Sequence, residues 1–190
     1  MIKAILLAAG QSKRLKGENK LTKKFNNKPL ITYPLNSLLK SKVNKVLIIL
    51  GFESSKVKKI IKKNKKINFL INKSFKSGIS SSIKTGLKKV NKKDKGFIIV
   101  QSDMPFIKTT DINKIYNSIK KENNLVHVLK YKNRIGNPIG FDISVLKKFQ
   151  KLKGDFGAKY MVKRLKKKTN FIKIKSEKVF KDLDLKKDFS

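Results

Sequence analysis

Cysteine and tryptophan are absent from this 190-residue chain, histidine occurs once, and only twelve residues are acidic. Without cysteine there is no disulfide framework, no thiolate metal centre and no cysteine nucleophile. A lone imidazole, His127, leaves no partner for a histidine-built metal cluster. It lies midway along an apolar run and reads as a packed side chain rather than a catalyst. Long apolar runs are missing too. The N-terminal stretch from Ile2 to Ala9 is too short to cross a bilayer and lacks a signal peptide's cleavage pattern. A soluble, cytoplasmic protein is the expectation. Proline is scarce and no Pro/Gly/Ser linker, composition break or internal repeat is visible, so residues 1–190 read as a single domain. A chain of this length buries roughly 70% of the surface its unfolded form exposes, enough for a core without staples.

Positive charge is abundant instead. Lys and Arg total 49 against twelve Asp and Glu, a formal net charge of +37. Such an excess ordinarily points to nucleic acid. Yet Arg14, Arg134 and Arg164 are the only arginines, so 46 of the cations are lysine. Sequence-reading surfaces favour arginine, whose fork pairs two acceptors on a base edge. Here lysine is spread over every segment beside many Asn and Ile, all with A/T-rich codons, and codon bias suffices to explain it. The expectation is attraction to polyanions at low salt without a specific nucleic-acid partner.

Short apolar runs alternate with helical stripes. Residues 2–8, 45–50 and 96–101 are nearly continuous apolar runs, suited to strands buried on both faces of a parallel sheet, and 67–71, 125–131 and 170–174 read as further strands. Ile79, Ile83, Leu87 and Val90 follow helical spacing, as do Ile112, Ile115 and Ile119, and Ala158, Met161, Val162 and Leu165. A helix is predicted over 29–40, with Pro29 in its first turn and Pro34 weakening or kinking it. Residues 137–142 follow a strand directly and are placed antiparallel within or beside the sheet. The fold class is therefore α/β, three-layer and Rossmann-like, with a mainly parallel sheet and an antiparallel strand.

Ligands of open α/β sheets sit at the carboxyl ends of the strands. After the first run come Leu7, Ala8, Ala9, Gly10, Gln11, Ser12, Lys13 and Arg14, then Lys20. Small residues let backbone N–H groups approach phosphate oxygens, Ser12 adds a hydroxyl, and Arg14 and Lys20 supply charge for a polyphosphate. The loop is neither a Walker loop nor the three-glycine dinucleotide fingerprint. After 96–101 comes Asp103, placed for a Mg²⁺ ion held against phosphates. Asn72 follows 67–71, and Ser77-Gly78-Ile79-Ser80-Ser81-Ser82 opens a helix with hydroxyls and free amides that suit an anion or a base edge. Asp155 either caps the helix after it or serves a ligand, and Asp184 is either a surface acid or a second carboxylate for the metal.

These segments, with Gly136-Asn137-Pro138, Gly154-Asp155-Phe156-Gly157 and Asp182-Leu183-Asp184, occur in the order seen in nucleotidyltransferases with a glycosyltransferase-A-like fold. The chain resembles molybdenum cofactor cytidylyltransferases most closely, from Ile2 to about Asp188. It departs from them at Leu15-Lys16, before Gly17, and in lacking Thr-Pro after Asp184. The resemblance implies transfer of CMP from CTP to molybdopterin, with a molybdenum hydroxylase receiving the product. It implies catalytic roles for Arg14, Lys20 and Asp103, and metal ligation by Asp103 and Asp184. Nucleotide contacts are implied at Leu7, Ala8, Ala9, Gly10, Ser12, Asn72, Gly78, Ser80, Ser81 and Ser82, and acceptor contacts at Asn137, Pro138, Gly154, Asp155 and Gly157. Related guanylyltransferases carry a second glycine where Ala9 stands, so its methyl is expected to disfavour a purine. Other expectations are a sugar phosphate or another small phosphate as acceptor, or a basic non-catalytic scaffold that binds nucleic acid through a face of arginine and aromatic residues.

Overall fold

The computed structural model describes residues 1–12, Leu15 and 18–189. At its centre is strand β1 (Ile2–Ala8), in which every residue is buried. Only a strand covered on both faces and paired on both edges is so enclosed. β1 runs parallel to β4 (Lys45–Leu50) on one side and β6 (Gly96–Gln101) on the other. β5 (Ile67–Ile71) continues the sheet beyond β4. On the far side β8 (Arg134–Asp142) pairs antiparallel with both β6 and β7 (Val126–Tyr131), and β9 (Thr169–Lys173) lies parallel to β7. The seven-stranded order is β5-β4-β1-β6-β8-β7-β9. One reversed strand interrupts an otherwise parallel sheet, as the sequence reading anticipated.

Because side chains alternate across a strand, β1 feeds two cores. Ala4, Leu6 and Ala8 pack with α1 (Thr32–Lys40) and α4 (Thr109–Lys121) through Leu35, Leu38, Ile112, Ile115 and Ile119. Ile5 and Leu7 pack with α3 (Ile79–Leu87), α5 (Leu146–Gln150) and α6 (Ala158–Arg164) through Ile83, Leu87, Phe149, Met161 and Val162. Phe97, Phe141 and Phe149 form a ring cluster with centroids 4.9–5.4 Å apart.

The sequence expectation fails locally at the first helix. Pro29 belongs not to α1 but to a two-residue ribbon of β2 (Lys24–Phe25) and β3 (Lys28–Pro29). Asn26 and Asn27, at φ of 44° and 64°, make the turn between them, a backbone region that Asn tolerates well. The helix starts at Thr32, which puts Pro34 in its first turn. N–H groups there have no partner within the helix, so a proline costs little. Two short helices carry too little apolar pattern to be located from sequence, although the strand–helix alternation implies one of them between 45–50 and 67–71. One is α5, and the other is α2 (Ser54–Lys59), with Val57 as its single buried residue.

His127 is fully buried in β7. Its Nδ1 lies 2.7 Å from Ser118 Oγ, which also accepts the Asn170 side-chain N–H at 2.9 Å, while Nε2 has no hydrogen-bond partner. Burial lowers its pKa from 6.5 to about 4, against opposing contributions from Asn124 and Asp142. The unfolded chain therefore binds a proton that the folded chain refuses. Stability from this residue is complete above pH 6.5 and is lost as pH falls towards 4. The loss amounts to about 3 kcal/mol. Urea unfolding from pH 7 to 4.5 should show this fall in wild type and a shallower one in His127→Leu.

Candidate active site

A cleft of about 740 Å³ opens where β1 and β6 end. Ser102 ties the two strand ends together, its hydroxyl donating to Leu7 O at 2.5 Å. The chain then leaves β1 through Ala9, whose carbonyl accepts the Phe52 N–H at 3.3 Å, and Gly10, whose missing Cβ would meet no atom within 4 Å. Gly10 thus faces open cleft. Ser12 takes φ of 52° and its hydroxyl oxygen accepts the Lys20 backbone N–H at 3.0 Å, which leaves its proton for another acceptor. Asn19 fixes the far end of the loop by donating to Phe52 O at 3.2 Å and accepting the Leu21 N–H at 3.1 Å. Arg14 lies outside the described residues.

Lys20 is delivered by this loop to two carboxylates. Its Nζ is 2.6 Å from Asp103 Oδ2 and also pairs with Asp184 Oδ1. Asp184 arrives on the C-terminal segment, held where the Leu183 N–H donates to Asp103 O at 3.0 Å. The Asp188 carboxylate accepts the N–H groups of Asp184 and Leu185 at 2.9 and 2.8 Å. Burial alone would lower the Lys20 pKa, but the two carboxylates outweigh it and hold the ammonium above its ordinary value. Burial pushes the Asp103 carboxyl up, with Lys20 pulling against it. Asp103 Oδ1 is buried without a hydrogen-bond partner.

That orphaned oxygen tests whether a divalent cation fits. A second positive charge at Oδ1 would favour the ionised carboxylate and satisfy its lone pair. Two hard carboxylates without further protein ligands match Mg²⁺, which keeps several waters and shares phosphate oxygens with a substrate. Among the described residues no three His, Cys, Asp or Glu are grouped so as to hold a metal ion.

The opposite lip is the turn before α3. Gly78 has φ of 89° and ψ of 173°, a conformation reserved for glycine. A Cβ there would sit 2.4 Å from Gly154 C and 2.8 Å from Asp155 Oδ1. The Gly154-Asp155 turn therefore docks directly on Gly78, with Ser80 N–H donating to Gly154 O at 3.1 Å and Ile79 N–H to Asp155 Oδ1 at 3.4 Å. Asn72 braces this lip from behind. Its amide donates to Ser81 Oγ and Ser82 Oγ at 2.9 and 3.0 Å, and its oxygen accepts the Ser74 N–H at 3.0 Å.

Of the residues singled out by sequence, Leu7, Ala9, Gly10, Ser12, Lys20, Gly78, Ser82, Asp103, Gly154, Asp155 and Asp184 share the cleft wall. Ala8, Asn72 and Ser80 are buried behind it, and Ser81 is engaged with the carbonyls of Ser74 and Gly78. Asn137 and Pro138 lie in β8, between the Leu129–Gly136 and Val128–Ile139 pairs, buried in the sheet rather than in the wall. Gly157 precedes α6 as its N-cap and faces Ile79. Phe75 and Lys76 line the cleft without having been foreseen. They sit in a single 3₁₀ turn, which has no periodicity to betray it.

Residues 4–169 match the family model described as the MobA-like NTP transferase domain. The chain belongs to this family. Its fold is shared with Rv0371c of Mycobacterium tuberculosis H37Rv, at 20% identity and a TM-score of 0.86 over 99% of this chain and 95% of that one. A manganese complex of Rv0371c matches at 18% identity and a TM-score of 0.81, with the same coverage. A nucleotidyl transferase from Methanothermobacter has 15% identity and a TM-score of 0.83 over 100% and 94% of the two chains. A curated relative, the bifunctional protein GlmU of Caldicellulosiruptor saccharolyticus, is 23% identical over 120 residues, which is 62% of this chain but only 26% of that protein. In this NTP transferase family member no helix among the described residues is long and apolar enough to cross a membrane.

Two glycine substitutions should separate fold from site. Gly78→Ala is expected to cost about 2–3 kcal/mol of stability, since it forces a side chain into both a glycine-only conformation and the Gly154 backbone. Gly10→Ala should stay within about 0.5 kcal/mol of wild type in the same urea titrations, yet weaken nucleotide binding by calorimetry, because its methyl would project into open cleft.

Proposed function

We propose that the protein is a nucleotidyltransferase that transfers CMP from CTP to the terminal phosphate of molybdopterin and releases pyrophosphate. Lys20, placed between Asp103 and Asp184 beneath an open Gly10 loop, carries this reading. The family supports NTP transfer. The choice of CTP and molybdopterin rests on the resemblance of the Ala9, serine-loop and Gly154-Asp155 segments to the cytidylyltransferases. The product would pass to a molybdenum hydroxylase.

A phosphate monoester has its second pKa near ~6 and is largely dianionic at neutral pH. It therefore attacks the α-phosphorus without a general base, which accords with a chain that offers no cysteine and only a buried histidine. The new bond joins the acceptor oxygen to the α-phosphorus. The bond to the bridging oxygen breaks, and the electron pair leaves with pyrophosphate. Lys20 stabilises charge on the phosphates, and the N–H groups of the Gly10 loop fix the triphosphate's line of attack. Asp103 and Asp184 would hold Mg²⁺, which supplies Lewis-acid neutralisation of phosphate charge when bound.

Incubation with each NTP in turn, Mg²⁺ and molybdopterin or a sugar phosphate, with products identified by mass, tests the reading. Cytosine dinucleotide formation supports it, and a product only with the sugar phosphate replaces the acceptor. Asp103→Asn should abolish pyrophosphate release while keeping its unfolding midpoint close to wild type. Lys20→Ala should reduce kcat/KM about a hundredfold or more, the scale of a lost transition-state donor. Lys88→Ala, on the exposed surface just past α3, should stay within about twofold, since exposed charges are screened within ~8 Å at physiological salt. Comparable small losses at Lys20 and Lys88 would reduce the N-terminal loop to a structural turn.

A further inference from the structure

A second cavity, of about 760 Å³, lies on the outer face of α5, α6 and the turn that joins them. Its wall carries Lys147, Lys148, Lys151, Lys153 and Arg164, and no carboxylate. The neighbouring acid, Asp155, faces the other cleft and accepts the Ile79 N–H. Lysine alone says little in this chain. The rings beside it say more.

Phe156, Tyr160 and Arg164 recur at four-residue spacing and form a ladder. The Phe156 and Tyr160 ring centroids are 4.7 Å apart, and the Arg164 guanidinium lies over the Tyr160 ring at 5.8 Å. The inward side of α6 is spent on Ala158, Met161 and Val162, so the ladder occupies the outward side. Phe156 is 56% exposed, and it is the one phenylalanine of the chain's twelve that stands in solvent. Arg164 is also one of only three arginines.

Cations without aromatics would suit bare phosphate, and aromatics without cations would suit an apolar partner. The combination suits a chain of planar bases joined by phosphates. Bases stack on aromatic faces and on guanidinium planes without regard to sequence, while the cations track the backbone. We propose that this groove binds single-stranded nucleic acid, with bases stacked on the Phe156–Tyr160–Arg164 ladder and phosphates on Lys147, Lys148, Lys151 and Lys153. The site is distinct from the nucleotidyl-transfer cleft, and its failure would leave that reading untouched.

Fluorescence anisotropy of a labelled octathymidylate, at about 150 mM salt to suppress general attraction, tests it. Phe156→Ala, a change at an exposed ring, should weaken binding roughly 5- to 100-fold, the range for one lost base–aromatic stack. Arg164→Gln should weaken it as well by removing a stacking plane, and Lys151→Gln should flatten the log–log salt slope by ~0.7, one phosphate's worth for a single strand. Lys88→Ala should change affinity less than twofold. Unlabelled duplex should compete far less well than single strand at equal phosphate concentration, because its base faces are already stacked. Equal effects of Phe156→Ala and Lys88→Ala, or equal competition by duplex, would reduce the groove to generic polyanion attraction and overturn the proposal.

Discussion

The ammonium of Lys20 is where three distant parts of the chain meet. It belongs to the loop after β1, Asp103 to the end of β6, and Asp184 to the C-terminal segment, separations of 83 and 164 residues. Two carboxylates that converge in a half-buried cleft repel one another unless a cation stands between them. Lys20 therefore has a structural duty as well as a chemical one. It holds the C-terminal segment against the sheet edge, and the Leu183 N–H to Asp103 carbonyl bond completes the attachment. In a chain with only twelve acids against 49 cations, two acids converging on one lysine is a concentration of scarce charge, whereas a lysine near any given acid is commonplace.

What the sequence made legible follows from how strong each physical signal is. β1, β4 and β6 are buried on both faces, so their composition is nearly uniform and their limits match the apolar runs. β8 was legible only from residue 137, because Arg134, Ile135 and Gly136 carry no alternation and the strand starts there as the second arm of a hairpin turning at Lys132, with φ of 48°. Pro29 misled because a proline before an apolar stripe is as compatible with a ribbon edge as with a first helical turn. In the cleft, the small-residue loop, Asp103 and Gly78 could be found from their position after strands. The serine run divides, because a hydroxyl that ligates and a hydroxyl that caps look alike in sequence: Ser82 lines the cleft. Ser81 spends its oxygen on Asn72 and the backbone, and Ser80 is buried. Phe75 and Lys76 gave no signal at all, since a single turn has no period.

Both clefts share one short connection. Gly154 and Asp155 close the first against Gly78, while Lys153 and Phe156, on either side of them in sequence, line the second. The middle and flanking residues of one turn thus face different solvent spaces. Gly154, at φ of 54°, is the position that allows the backbone to turn so sharply. The local charge divides accordingly, with the carboxylate on the transfer side and the cations on the other. This connection divides the two spaces, docked on one side against Gly78 and leading on the other into α6.

β6 bears a Lys–Asp pair at each end, and their difference shows why position in the sheet decides function. Before the strand, Asp94 accepts from Lys3 Nζ at 2.7 Å and from the Asn91 N–H at 3.0 Å, and the chain's amino group lies 3.8 Å away. Lys3 also donates to Lys89 O at 2.8 Å. Burial would raise the Asp94 pKa, but these partners more than reverse it and hold the carboxyl below its usual range. Both hydrogen bonds fall on Asp94 Oδ2, while its Oδ1 is buried with no hydrogen-bond partner and has only the amino group nearby. The pair's contribution to stability is complete above the ordinary carboxylate pKa and is lost as the pH falls through the lowered one. After the strand, Asp103 keeps an unpartnered buried oxygen and a carboxyl raised by burial. Opposite strand ends thus carry the same two residue types with opposite electrostatic outcomes. At the amino edge Lys3 and the Asn91 N–H both donate to Asp94 Oδ2, and the chain's amino group stands 3.8 Å from Oδ1. At the carboxyl edge the chain turns away toward Met104 and leaves Asp103 Oδ1 without a donor. Both aspartates keep a buried oxygen without a hydrogen bond, so what marks the carboxyl edge as the place for a ligand is that Asp103 lines an open cleft and has its carboxyl raised by burial, whereas Asp94 is enclosed.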